Sequence, residues 1–409
     1  MLDSLSRCTL GTGWAPVLVP LDCLLSLDLS YAHLSGWVTE SGHIIEFPYI
    51  LDQAIAATID IFNYGGGTMR AKLRCLTLAV GIVMVLSELA SPAEGQELFY
   101  RGKTIRLIVG LSAGGGYDVY SRAIARHIGK HIPGNPAVIV ENMTGAGSIL
   151  ATNYLYKVAK PDGLTIGNFL GGLFLQQLLG KPGIEFDSLK FEYLGVPGQD
   201  HFLIVVSKST GIQDVNQWIA SKKEVSFGGV TPGGGTDDLP KVLKATLGLP
   251  LRVVSGYKGT AEIRLAFNSG EVSGVSSAWE SIKVTWSKEY ESGEAVIVLQ
   301  TALKPHRELG GIPVAMYLVK SDADKKLLQA VIRVHGPSVR PYVLAPGTPK
   351  ARVELLRKAF ADTMKDPEFL ADAKKSKLDI NPLSGESCMK TSGKFSNWSR
   401  LWSRGSRKY

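Results

Sequence analysis

Two stretches of this chain set three glycines in a row between an apolar run and an acidic residue. "GLSAGGGYD" fills residues 110–118 and "GVTPGGGTDD" fills residues 229–238. Glycine lets a ligand approach the main chain closely, because no Cβ intervenes. The start of a helix leaves N–H groups unpaired and carries partial positive charge. Strand, glycine loop and helix in that order therefore make a cradle for an anion. Neither loop is a nucleotide version of this device. The GK[ST] of a phosphate loop is absent, and Val119 stands where the fingerprint G-x-G-x-x-G needs its third glycine after Gly114 and Gly116. Asp118, and Asp237 or its neighbour Asp238, stand where helix N-caps belong, so bonding to main-chain N–H groups is their expected work.

The other candidates carry less. His127 and His131 are spaced i, i+4 on one helix, as a metal pair would be, but Lys130 is beside them and no acid is near in sequence, which favours a solvated helix face. Ser148 follows "GAG" and lacks the G-x-S-x-G elbow of a hydrolase nucleophile. Ser276 and Ser277 end an apolar stretch, where they either bond a ligand or stay structural, and Trp279 either walls a pocket or packs in the core. No metal, cofactor or catalytic constellation is expected.

The elements that must position these loops follow from periodicity. "TIRLIVGL" (Thr104 to Leu111) reads as a buried parallel strand, and Asp118 to Ile132 as a helix with Tyr120, Ile124 and Ile128 four residues apart. "PGNP" stops it; "AVIVEN", "MTGAGS" and "ILATNYLYKVA" then give strand, glycine loop and helix again, and "LTIGNF" a third strand. This βαβαβ pattern means a parallel sheet covered by helices. The pattern restarts at "FLIVVSK" (Phe202 to Lys208), with strands in "EVSFGGV", "LRVVSGY", "EVSGVSS" and "EAVIVLQ". The expected fold is α/β with two similar lobes, each a mostly parallel sheet flanked by helices, joined by crossing strands near 203–208 and 312–320. The division is 94–204 plus 319–386 for the first lobe and 205–318 for the second.

Length agrees, since 409 residues exceed one ordinary core. The ends look different. From Met69, "MRAKLRCLTLAVGIVMVLSELASPAEGQ" has basic Arg70, Lys72 and Arg74, an uncharged stretch from Cys75 to Ser87, and small residues in "SPA". That is the anatomy of a secretory signal peptide over 69–93, too short to span a bilayer. Residues 1–68 then precede the true start as a misplaced extension. Formal net charge is +8 for the whole chain, and residues 1–93 hold four basic and eight acidic residues, so the remainder is more basic still. Such a charge suits anionic ligands or solubility. Residues 387–409 contain six Lys or Arg and no acid, a basic and poorly periodic tail in which disorder is expected and nucleic-acid binding is not. Of four cysteines, Cys388 alone follows the leader, which excludes a disulfide framework.

Several motifs in order carry a resemblance: "IRLIVGLSAGGGYDVYSRAIARHI", "VIVENMTGAGSILATNYL", "KPDGLTIG", "GYKGTAEIRLAFNSGEVSG" and "LAPGTPKARVELLRKAFADTMKDPEFL…INPLSGE". From about Tyr100 to Glu386 the chain resembles the periplasmic solute-binding receptors of tripartite tricarboxylate transporters, the Bug proteins. The resemblance implies a type II periplasmic-binding fold of the Venus-flytrap kind, whose lobes close on a small carboxylate and deliver it to membrane permease subunits. It implies a monomeric receptor in the periplasm rather than an enzyme; a carboxylate-processing enzyme or a sensor for a membrane signalling partner are the competing readings. Carried onto this chain, the ligand loops are Ser112, Ala113, Gly114, Gly115, Gly116 and Tyr117, with Gly145, Ala146, Gly147, Ser148 and Asn168 from the same lobe. Opposite them stand Thr231, Gly233, Gly234, Gly235 and Thr236, then Tyr257, Lys258, Gly259 and Thr260, with Ser277 as a further hydroxyl. The chain departs from the pattern at Gly110 and Leu111, where the family commonly has Pro and an aromatic, and at Asp238, where many members have His.

Overall fold

The computed structural model describes residues 99–336 and 340–388. The expected extension 1–68, the expected leader 69–93 and the chain beyond Cys388 lie outside the described residues. Residues 385–388 are helical, and Cys388 is buried.

Two mixed sheets organise the described chain. The first has the order β11 (Leu383–Ser384), β4 (Glu192–Val196), β10 (Tyr342–Leu344), β3 (Thr165–Asn168), β1 (Thr104–Val109), β2 (Ala137–Asn142). The second has the order β7 (Leu251–Ser255), β6 (Val225–Gly229), β8 (Gly274–Ala278), β5 (Phe202–Ser207), β9 (Ala295–Thr301). Strand β1 runs parallel to β2 and β3, and β6 runs parallel to β7 and β8. The first sheet also takes in two strands running the other way, β10 and β11, and the second takes in one, β5. β10 is antiparallel to β3 and β4, and β5 is antiparallel to β8 and β9. The two sheets thus share one pattern, in which β6, β7 and β8 repeat β1, β2 and β3. That repetition is why the glycine triplet occurs twice: each follows the first parallel strand of its sheet.

The reversed strands β5 and β10 follow from how the chain passes between lobes. It leaves the first sheet after Val196 and enters the second at Phe202; it returns to the first at Tyr342. The chain therefore crosses between Val196 and Phe202 and again between His335 and Tyr342, not at 203–208 and 312–320. Residues 315–318 are a short helix, and Ala315, Val319, Leu328 and Ile332 pack into the core of the second lobe. The chain from 319 to 335 accordingly sits with the second sheet rather than the first. The reason is amphipathic packing: the helix Asp322–His335 buries Leu328 and Ile332 against the helix Gly235–Leu247.

Period-two alternation shows clearly in β5. Phe202, Ile204 and Val206 join one apolar cluster with Trp218, Phe227 and Leu239. Leu203 and Val205 join the other, with Val275, Ile263 and Trp286. A strand buried on both faces reads as a continuous apolar run, which is what "FLIVV" is. The helix Gly116–Ile128 buries Tyr120, Ala123, Ile124 and Ile128 on the face its sequence spacing predicts. Each fully buried Ile there contributes about 1.5–3 kcal/mol. Among the described residues no helix is long and apolar enough to cross a membrane.

Candidate functional site

The loops at the C-terminal ends of the parallel strands enclose a cavity of ≈ 290 Å³. Open α/β sheets bind ligands at this edge. Its walls are Gly110 after β1, Gly145–Gly147 after β2, Val230–Pro232 after β6 and Ser255–Lys258 around the end of β7. Equivalent loops of both lobes thus meet here. Six of the residues expected from the sequence line it: Gly145, Ala146, Gly147, Thr231, Tyr257 and Lys258. The lining holds one lysine, two hydroxyl groups besides the Tyr257 phenol, and neither Asp nor Glu.

The wall at 145–148 has an unusual backbone. Ala146, Gly147 and Ser148 have φ of 46°, 62° and 72°, three left-handed residues in succession, after Gly145 at 146°. Left-handed backbone costs a non-glycine residue roughly 1–2 kcal/mol. Such strain is stored where structure needs it, and clusters at functional sites. Here it folds the chain tightly enough that the N–H groups of Ala146, Gly147 and Ser148 bond to no described residue. Consecutive turned-in N–H groups form a nest, an anion-binding concavity. The Ser148 hydroxyl does not join in. It is buried and donates to Gly110 O at 3.1 Å, pinning the nest to the end of β1.

The lobes approach closely at the nest. A Cβ on Gly147 would lie 2.0 Å from Thr231 Cγ2, so only glycine permits it. Two further bridges flank it. Ser112 N–H donates to Lys258 O at 3.0 Å, and Lys181 Nζ donates to Thr231 Oγ1 and Pro232 O, both at 3.0 Å. Lys181 was not among the residues expected from the sequence. It lies in a glycine-bounded loop without a motif, and its reach across the cleft exists only in three dimensions.

The glycine triplets are placed differently from the sequence expectation. They do not line the cavity and do not face one another. Gly115 approaches Thr260, and Gly116 packs on Ser281 and Arg340. Gly235 lies under the Phe202 ring, while Gly233 meets Gln176 and lies against Gly172. Ala113 and Gly114 are exposed. The physical reason is that each triplet answers to its own acid. Gly114 N–H donates to Asp118 Oδ2 at 2.9 Å, and Gly233 N–H donates to Asp238 Oδ1 at 3.0 Å. A carboxylate thus already occupies each helix start. The N-cap positions themselves are Gly115 and Gly234. Asp118 lies inside the first turn, and in the second lobe the equivalent acid is Asp238 rather than Asp237. Asp237 instead accepts bonds from the Thr236 and Ser255 hydroxyls and is fully buried.

Electrostatics agree. Burial would raise the Asp118 carboxyl, but Arg122, Gly114 N–H and Asn142 hold it below the usual carboxylate range. Burial would likewise raise Asp238, but His335, Gly233 N–H and Lys241 hold it low. Both stay ionised as caps. Tyr257 is pushed up to about 12, by desolvation first and then by Glu271, to which its hydroxyl donates at 2.5 Å.

The remaining expected residues support the walls. The Ser112 hydroxyl is buried without a partner and faces Gly259, where a Cβ would lie 2.4 Å from it. Tyr117 stacks beside Arg340, whose guanidinium carbon is 5.3 Å from its ring centroid. Asn168 is buried and donates to Ser121 Oγ at 3.0 Å, leaving its Oδ1 without a partner. Ser277 and Ser276 are buried in β8 with unpartnered hydroxyls. Trp279 Nε1 donates to Glu308 at 2.8 Å. His127 and His131 are not a solvated face: they bond Asp372 at 3.0 Å and Asp366 at 2.9 Å, acids brought by the segment 366–372. Lys130 bonds both Asp366 and Glu368, at 2.8 Å and 2.6 Å.

Both crossings meet at a buried ion cluster. Arg340 Nη2 contacts Asp200 Oδ2 at 2.7 Å and Ser281 Oγ at 2.9 Å, with its guanidinium carbon 4.7 Å from the Tyr120 ring centroid. Glu280 accepts His201 N–H at 2.9 Å. Burial, then the Asp200 charge, pushes the Glu280 carboxyl up to about 8.

Two lobes joined by two crossings, with loops of both closing over a shared cavity, are the architecture of the type II periplasmic-binding fold. The structure of the periplasmic binding protein BugD shares it, with TM-score 0.61 and 21% identity, covering 75% of this chain and 98% of that one. So does the structure of R. palustris Rpa4515 with adipate, with TM-score 0.59 and 20% identity, covering 73% and 96%. In sequence, the chain is 26% identical over 324 residues to a UPF0065 protein of Cupriavidus necator, covering 76% of this chain and 88% of the relative. No family profile matches the chain. The relative and the shared fold bear out the likeness to the Bug receptor family that the sequence motifs carry.

Proposed function

We propose that this protein is a periplasmic receptor that closes its two lobes on a small organic carboxylate and passes it to a tripartite tricarboxylate-type membrane permease. The observation that carries the reading is the turn at 145–148: Gly145, Ala146 and Gly147 line a cavity without acidic lining, and the Ala146 and Gly147 N–H groups bond to no described residue. Main-chain N–H groups, the Thr231 hydroxyl and Lys258 offer donors and positive charge to a carboxylate, the Ser255 hydroxyl being committed to Asp237, and nothing in the lining offers a counter-charge to an ammonium. A cavity of ≈ 290 Å³ suits a metabolite, at the lower end of ligand pockets. The cleft-crossing contacts supply the closure step, since binding energy shifts the open–closed equilibrium only through contacts that differ between the two states. The adipate in the Rpa4515 structure supports the carboxylate class. The protein works as a monomer, capturing its ligand without converting it.

Thermal melting of the exported protein against a panel of mono- and dicarboxylates, amines and neutral sugars tests this. An acid present at about 100 times its Kd adds roughly 2.7 kcal/mol of stability. A melt that shifts with a sugar or an amine, and with no acid, overturns the reading.

A further inference from the structure

The segment after β3 embraces the loop after β6. Gly172 lies so close to Gly233 O that a Cβ there would be 2.0 Å from it. Gln176, in the helix Leu173–Leu178, lies against Gly233, 2.3 Å from where that glycine's Cβ would be. The segment then turns through Gly180, φ 71°, with Lys181 N–H bonded to Gln176 O at 3.0 Å. This turn points the Lys181 ammonium at the cavity wall, onto Thr231 Oγ1 and Pro232 O. All three contacts run from the first lobe to the second. Burial, the largest effect, draws the Lys181 ammonium below the ordinary lysine range, with Asp238 and Asp237 opposing it through space.

We propose that Lys181 is a positioning residue for ligand capture, a latch that crosses the cleft in the closed state and fixes the Thr231–Pro232 wall over the bound anion. The proposal rests on the receptor reading above. Its two bonds join the lobes, so they stabilise the closed form and leave the open form unchanged. A contact made only after closure slows release more than it speeds capture. Arginine can keep a cation at this place; methionine keeps the length and loses both bonds.

The test uses the full exported protein as wild type, Lys181→Met and Lys181→Arg. Stopped-flow tryptophan fluorescence reads association and dissociation for the acid that shifts the wild-type melt most. Hydrogen exchange reads the peptide spanning 230–235 without added ligand. In Lys181→Met the dissociation rate rises about tenfold, association stays within about twofold, and exchange of that peptide speeds up about fivefold. Lys181→Arg recovers most of both effects, and the unliganded melt of each variant stays within about 2 °C of wild type. Unchanged dissociation and unchanged exchange in Lys181→Met overturn the latch. Should no acid of the panel bind the wild type, the receptor reading falls, and the exchange measurement still decides whether Lys181 holds the lobes together.

Discussion

Gly147→Ala separates the cost of the nest from the cost of closure. Gly147 has φ 62°, so any side chain there costs roughly 1–2 kcal/mol. That cost falls on the open and closed forms alike; it lowers the melt by a few degrees and cancels from ligand affinity. The second cost belongs to the closed form alone. The new Cβ would lie 2.0 Å from Thr231 Cγ2 and 2.4 Å from Thr231 Cβ, where ordinary contact begins near 3.4 Å. Rotating Thr231 moves Cγ2 and leaves Cβ in place, so the loops must part by about 1 Å. Parting stretches the Lys181 bonds to Thr231 and Pro232 and the Ser112–Lys258 bond, each 3.0 Å long. At about 1 kcal/mol net per bond, three bonds amount to about 3 kcal/mol, roughly a 100-fold rise in Kd. Calorimetric titration with the acid found by melting measures it. Gly147→Ala with Thr231→Gly removes the clash and recovers at least tenfold of the loss. Binding within threefold of wild type in Gly147→Ala alone would refute the reasoning, as would a double variant no better than the single.

Three further outcomes follow from the crossings and the leader. Arg340→Met leaves the Asp200 and Glu280 carboxyls buried without their cation and lowers stability by about 3–5 kcal/mol, read by denaturant unfolding at pH 7. Glu280 has a folded pKa raised to about 8, so the stability tied to its protonated form is complete below the unfolded value near 4.3 and drains as pH rises through 8. Glu280→Gln therefore flattens the melting temperature between pH 5 and 8.5 and melts higher than wild type at pH 8.5; an unchanged slope counts against the assignment. Finally, mass spectrometry of the periplasmic form finds its first residue near Glu94, and an intact residue 1 on the exported chain rules out processing after Ala93.

The strands β1, β2, β3, β5, β6, β7, β8 and β9 are legible in the sequence: β5 as a continuous apolar run, because both its faces are covered, and the edge strands β2 and β7 by their β-branched residues, although they are largely half-buried or exposed. The missed strands are β4, β10 and β11. "EYLGV" carries a charge and a glycine, and "YVL" and "LS" are too short to show any period. The apolar face of the helix Gly116–Ile128 and the doubling of the strand–loop–helix unit are likewise local patterns. So is "MTGAGS", whose glycines at 145 and 147 announce a turn.

The sequence by itself determined the composition of the site: loops of glycine, serine and threonine after parallel strands, repeated in two halves, with acids placed to satisfy helix starts. Local chemistry suffices for this, since capping and turn preferences act within a few residues of their cause. Only the tertiary structure decided which loops face the cavity. Asp118 and Asp238 fold back onto the triplets and take them out of the site, while the 145–148 turn, Thr231, Tyr257 and Lys258 come together from segments far apart in the chain. It also decided that Lys181 crosses the cleft and that the chain returns to the first sheet only after His335, because both depend on how two sheets pack, and packing between distant segments leaves no periodic trace in either one.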